Sequence, residues 1–196
     1  MSDYPVISAV SSTLKELLNA NITLSSDSQL NGVPISLLSP KEMQEAGQNI
    51  GVSVWLYKIS KMPEMLNEPP ERKGPNQIAR APLPVLLHYL ITPISDDPLN
   101  KHTLMGKVLQ VFNDHAILRG SLLQGILQGT AEQLRITLEG HTLEELSLVW
   151  EALKDPYQLS VTYLVQVVKI DSDRELVKAS PVLERDTTYT QILSVT

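Results

Sequence analysis

The chain has 196 residues, 42% hydrophobic and 19% charged, and a net charge of −6, proportions ordinary for a single folded domain with a sizeable core. It contains no cysteine, which excludes disulfides, thiolate metal sites and cysteine nucleophiles and fits a reducing compartment, so the cytoplasm is expected. The acidic balance without a basic stripe argues against nucleic acid as a partner, and no unbroken apolar run reaches the roughly 18 residues needed to span a membrane.

The first segment, YPVISAVSSTLKELL, has no basic lead and spaced rather than continuous apolar residues, so it does not read as a secretory signal. Val6, Ile7, Val10, Leu14, Leu17 and Leu18 fall on one arc at 100° per residue, with Pro5 at the start, and predict an amphipathic helix over residues 5–19. The run from Val33 to Leu38, between Gly32 and Pro40, reads as a short strand. Residues 50–59, IGVSVWLYKI, alternate Ile50, Val52, Val54 and Leu56 against Gly51, Ser53, Trp55 and Tyr57 and predict a second strand.

From Met62 to Pro82 the chain is dense in proline and charge, which predicts an irregular exposed excursion. LPVLLHYLIT, ending before Pro93, is nearly continuous in apolar character and predicts a central strand buried on both faces. Asp97 as a cap and Pro98 in the first turn open a helix that lays Leu104, Met105, Val108, Leu109, Val111 and Phe112 on one side. The following ILRGSLLQGILQGT is interrupted by three glycines and reads mostly as loop.

Gln133 to Leu138 alternates as a strand, and Thr142 with Glu145 has the spacing of a capping box before a helix with Leu143, Leu146, Val149, Trp150 and Leu153 on one face. YQLSVTYLVQVVKI then predicts the longest strand, with Leu159, Val161, Tyr163, Val165 and Val167 on one side. Strands and helices mix without a regular βαβ repeat, so the expected class is α+β: a mixed, mainly antiparallel sheet with three main helices. The expected division is a domain over residues 1–172 and a C-terminal tail or arm over 173–196.

Little in the chain is arranged for chemistry. His88, His102, His115 and His141 show no i, i+4 pairing for a metal, and no serine elbow, dinucleotide fingerprint or phosphate loop occurs. His88, inside an apolar strand, reads as a hydrogen-bonded core residue, while Asp96 and Asp97 read as helix caps. No catalytic, cofactor-binding or metal residue is therefore expected, and no cofactor. Contact material remains. Trp55, Tyr57, Trp150 and Tyr163 are large amphipathic side chains, mainly core and in part interface anchors. Tyr189, Leu193 and Val195 share one face of an extended tail that either pairs with a neighbour's sheet edge or folds back.

The ordered series YPVISAVSSTLKELL, PLPVLLHYLITP, HTLMGKVLQVFNDHAIL, ELSLVWEAL and PYQLSVTYLVQVVKID resembles the tail-terminator, or cap, proteins of extracellular contractile injection systems, the phage-tail-like particles of the antifeeding-prophage and virulence-cassette type. The resemblance spans roughly residues 5–172. It implies a tail-terminator-like fold and a structural cap: a sixfold ring on the end of the inner tube and sheath that stops their polymerisation. It brings no catalytic residues, and the partners it implies are further copies of the chain, sheath and tube. It also implies that an edge strand accepts an arm from a sheath subunit. Members of the family often carry a further domain after the last strand, where this chain has about 25 residues.

The expected interface residues are Trp55, Tyr57, Arg72, Lys73, Arg80, Tyr189, Leu193 and Val195. The expected setting is assembly in the cytoplasm, followed by incorporation into the particle. The rival within the same machine is another tube or baseplate adaptor; the rival from a different class is a small hydrolase using His88 or His102 with Asp96 or Asp97.

Overall fold

A computed structural model describes residues 4–63, 72–74, 77–174 and 177–178. Helix α1 (Val6–Leu18) buries Val6, Ala9, Val10, Leu14, Leu17 and Leu18, the predicted stripe, and continues into one π-helical turn at Asn19–Thr23 that buries Ile22. Its Thr13 is buried and fully used: the hydroxyl donates to the Ala9 carbonyl at 2.7 Å and accepts from the Gln124 N–H at 3.0 Å. Strand β1 (Ile35–Ser36) follows, then the short helix α2 (Pro40–Glu45), started by a reciprocal capping box between Ser39 and Glu42.

Strand β2 (Gly51–Lys61) begins at a glycine with φ +157°, and a Cβ there would lie 2.9 Å from the Pro34 carbonyl oxygen and 2.8 Å from Met43 Cε. Only glycine lets the chain entering β1 lie this close. Short strands β3 (Arg72–Gly74) and β4 (Gln77–Ile78) precede β5 (Leu83–Ile94). Helix α3 (Pro98–Asp114), β6 (Ile117–Arg119), β7 (Gln133–Glu139), α4 (Leu143–Leu153), β8 (Val161–Ile170) and β9 (Val177–Lys178) complete the order.

The main sheet runs β1-β2-β5-β8-β7-β6, antiparallel except for the β1–β2 pair. Against one face pack α1 and α3, burying Val52, Val54, Leu87, Tyr89, Ile91, Leu134, Ile136, Tyr163 and Val165. Phe112 meets Tyr163 edge-on at 4.7 Å, and the Tyr89 hydroxyl shares a 2.8 Å hydrogen bond with Ser11. The opposite face carries Trp55, His88, Leu90 and Thr162 by register, and α4 lies beside it.

The α+β class with a mainly antiparallel sheet is as expected, and β5 is indeed internal, between β2 and β8. The differences are local. Strand β5 runs through Pro93, because β8 pairs no further than Ile91 and the missing N–H faces an unpaired side. The longest strand is β5 with 12 residues, not β8 with 10, because Leu159 and Ser160 precede the ladder.

A bulge opposite Leu86 advances the β8 alternation, so Val168 reaches the core together with Tyr163 and Val165. The glycine-rich segment holds β6 and two 3₁₀ turns, Gly120–Leu122 and Gly125–Leu127. The excursion is not wholly irregular: β3 and β4 form a hairpin that β9 extends into a three-stranded sheet, tying the excursion to the start of the tail.

Candidate functional site

Two features of the sheet stand out: a polar network on its second face and an open edge along β2. The network is made by strand register. His88 faces Lys58 across the β2–β5 ladder and Leu164 across the β5–β8 ladder, while Leu164 faces Thr137 on β7. Residues two positions further along the same strands reach inward on this face. Ser60 Oγ shares a 2.7 Å hydrogen bond with His88 Nε2, and both Glu139 carboxylate oxygens lie 3.1 Å from His88 Nδ1.

Glu139 Oε2 is also 3.7 Å from His141 Nε2, and His141 Nδ1 is 3.3 Å from Glu145 Oε2. Glu145 in turn closes the α4 capping box: its carboxylate accepts from the Thr142 N–H at 2.8 Å, and its own N–H donates to Thr142 Oγ1 at 3.2 Å. Those backbone and hydroxyl donors, with His141, hold the Glu145 carboxyl below its ordinary range. Tyr57 packs edge-on to His88 at 6.2 Å, and burial together with the nearby Glu139 and Glu145 charges pushes its hydroxyl up to about 12.

Ser60, His88 and Glu139 thus stand in the order of a nucleophile, a base and an orienting carboxylate. Among the described residues the backbone around Ser60 is plain strand. Ser60 lies within strand β2, in register with Leu86, not at a strand-to-helix turn that would aim amide N–H groups at an oxyanion. The adjoining groove of about 240 Å³ is lined by Tyr57, Lys58, His141, Glu145, Leu146, Leu148 and Val149, and not by Ser60.

What the network does is tie β2, β5, β7 and α4 together across the sheet. Sequence reasoning placed His88 correctly as a hydrogen-bonded core histidine but missed Ser60 and Glu139. Only register brings those two to it.

Helix α4 departs from expectation. Trp150 is buried, its indole N–H donating to Ser160 Oγ at 3.1 Å, but Leu143, on the predicted stripe, remains 64% exposed. The apolar stripe predicted for α4 is therefore sunk into the body at Trp150 and open at its first turn.

The second feature is the outer side of β2. Strand β1 pairs only with Val52 and Ser53, so among the described residues the edge from Val54 to Lys61 has no ladder partner. Ile59 faces the core side opposite Leu87, which is fully buried, yet Ile59 is 49% exposed because nothing described lies beyond it.

The expected interface residues distribute unevenly. Trp55 and Tyr57 are half-buried neighbours on β2, with ring centres 6.2 Å apart. Arg80 is exposed in the link between β4 and β5, and Arg72 and Lys73 belong to β3. Tyr189, Leu193 and Val195 lie outside the described residues.

His102 is exposed in α3, and Asp97 caps that helix by accepting from the Leu99 N–H at 3.1 Å. Among the described residues no group of three or more histidine or acidic side chains could hold a metal ion. No described helix is long and apolar enough to cross a membrane.

Comparison with solved structures finds the same fold in two proteins. One is the PVC sheath/tube terminator of an extracellular contractile injection system in its extended state, with TM-score 0.63 and 20% identity over 100% of this chain and 67% of that one. The other is the anti-feeding prophage cap, described as a tube terminating cap, with TM-score 0.60 and 21% identity over 92% of this chain and 60% of that one. The chain therefore spans about two thirds or less of the length of either. Comparison with curated proteins finds no match. The Pvc16 N-terminal domain family matches residues 9–184, from within α1 to beyond β9, and the chain belongs to that family.

Proposed function

We propose that the chain is a structural cap of a phage-tail-like contractile injection particle, assembling as a sixfold ring on the last layer of inner tube and sheath and stopping their growth. The observation that carries this is the family match over residues 9–184 joined to a fold shared with two terminators of such particles. The physical logic is that a polymer end keeps adding subunits until something complements its exposed surface and presents no copy of that surface outward. A rigid body with one matching side does this.

The role needs no turnover, and among the described residues no strand-to-helix turn aims backbone N–H groups beside the Ser60–His88–Glu139 trio. Residues 1–172 form the rigid body and 173–196 an arm. Trp55, Tyr57, Arg72, Lys73, Arg80, Tyr189, Leu193 and Val195 supply contacts to neighbouring copies, sheath and tube. Assembly takes place in the cytoplasm, before the finished particle leaves the cell.

Light scattering and negative-stain imaging of the purified chain, alone and with tube and sheath ends, test the reading. A mass about six times 21.7 kDa, or rings seated on tube ends, is the expected result. Label found only at the baseplate end of particles would instead make the chain an adaptor there.

A further inference from the structure

We infer that His141 is a proton-operated latch: on taking up a second proton at Nε2 it bonds to Glu139 and so ties the start of α4 to the end of β7. The inference does not depend on the ring proposed above. It follows from counting protons along the polar network of the second face.

His88 Nδ1 lies 3.1 Å from both Glu139 oxygens, which can only accept, so that nitrogen carries the proton of the neutral ring. Its Nε2 then accepts from the Ser60 hydroxyl at 2.7 Å. In the same way His141 Nδ1, 3.3 Å from Glu145 Oε2, carries the proton of the second ring. Every imidazole nitrogen of the network is then satisfied except His141 Nε2. That atom is buried, has no hydrogen-bond partner among the described residues, and leaves its lone pair 3.7 Å from the negative Glu139 Oε2.

One further proton reverses the relation. Nε2 becomes a donor, and a side-chain movement of about 1 Å brings the pair to the roughly 2.7–2.9 Å of a charge-assisted bond to a carboxylate. The two side chains are only 26% and 17% exposed, so water screens the pair weakly.

The surrounding groups set the sign. Glu145, on α4, is held below its ordinary range and stays ionised while an imidazole titrates. Glu144 of the same turn is exposed. On β2, Tyr57 keeps its proton, because its hydroxyl is pushed up to about 12, and Lys58 in the lining of the same groove opposes the new charge. β5 contributes His88, and β8 places uncharged Thr162 opposite Glu139. Two carboxylates touch the His141 ring and one ammonium works against them. The latch is therefore closed at the acid end of the histidine range and released as pH rises through it. His141 and Glu145 both line the groove of about 240 Å³ between β2 and α4, so the latch governs how firmly that groove keeps its shape.

Hydrogen exchange tests this in the full-length chain. The amides of Thr142, Glu145 and Leu146 are bonded within the first turn of α4. Their protection is compared at about pH 5.5 and about pH 8, the two sides of histidine titration, after correction for the intrinsic effect of pH on exchange. The expected result is protection greater at the acid side by roughly tenfold or more, the scale of a hydrogen bond to a charged group, and no such difference in His141→Gln. Nitrogen-15 shifts of the wild-type His141 ring give a second reading that needs no variant, with the proton expected on Nδ1 at the alkaline side and on both nitrogens at the acid side. Equal protection at both sides in the wild type would overturn the inference. So would a difference that persists in His141→Gln, or a neutral ring whose proton sits on Nε2.

Discussion

His88 sits at the centre of the second face because both of its ring nitrogens have partners, Ser60 at 2.7 Å and Glu139 at 3.1 Å. Removing a buried partner leaves polar groups unpaired, at a cost of about 1–3 kcal/mol. His88→Ala should therefore lower stability in urea by about that amount, whereas an exposed histidine such as His102 should tolerate alanine with little change. A fluorophosphonate probe should leave Ser60 unlabelled in the native protein; labelling lost in Ser60→Ala would mean that the trio is catalytic.

The tyrosines give a pH prediction. Burial pushes the Tyr89 and Tyr163 hydroxyls from 10.0 up to about 12, against a smaller opposing effect of Ser11 on Tyr89. The folded state thus holds these protons more tightly than the unfolded chain. Their stabilisation is whole below about pH 10 and is lost as pH rises towards 12. Ultraviolet titration should show tyrosinate from Tyr89 and Tyr163 only above the ordinary range or together with unfolding.

At this scale the sequence disclosed a satisfied core histidine at 88 and a helix cap at Asp97. It hid Ser60 and Glu139, because an alternating pattern marks a face without stating which residues will meet across three strands.

Among elements, the long periodic ones were legible and the short ones were not. Helix α1, strands β2, β5 and β7 and helix α3 follow the apolar spacing within a residue or two. Helix α2 was missed although Ser39 and Glu42 have capping-box spacing, since six residues give too little periodicity to see. Bulges cannot be read from alternation, which is why the buried place of Val168 beside Val165 was not visible in the spacing.

Two substitutions test the element-level account. Gly51→Ala places a methyl 2.9 Å from a backbone oxygen, so it should destabilise the β1–α2–β2 corner by more than the same change at exposed Gly140, where a Cβ has open space. Leu14→Ala, at a fully buried position on α1, should cost about 2–5 kcal/mol in a denaturant titration. A small loss there would mean that α1 is not the lid of the main core.

For the molecule as a whole, composition excluded much and identified little: the absence of cysteine, nucleotide loops and metal spacing left contact surfaces as the main resource. The resemblance in five ordered segments supplied the family, and the match over residues 9–184 bears it out. The contact surfaces were the least legible part. Open edges such as β2 exist only once strand order is known, and an exposed Ile59 or Leu148 looks in sequence like any core residue.

The central claim is that this rigid body ends a polymer. Its most direct test is the length distribution of injection particles, measured by electron microscopy in cells lacking the chain and in the same cells with it restored. The account predicts tubes and sheaths of uncontrolled or defective length without the chain and a single narrow length on restoration. Particles of normal, uniform length in its absence would contradict it.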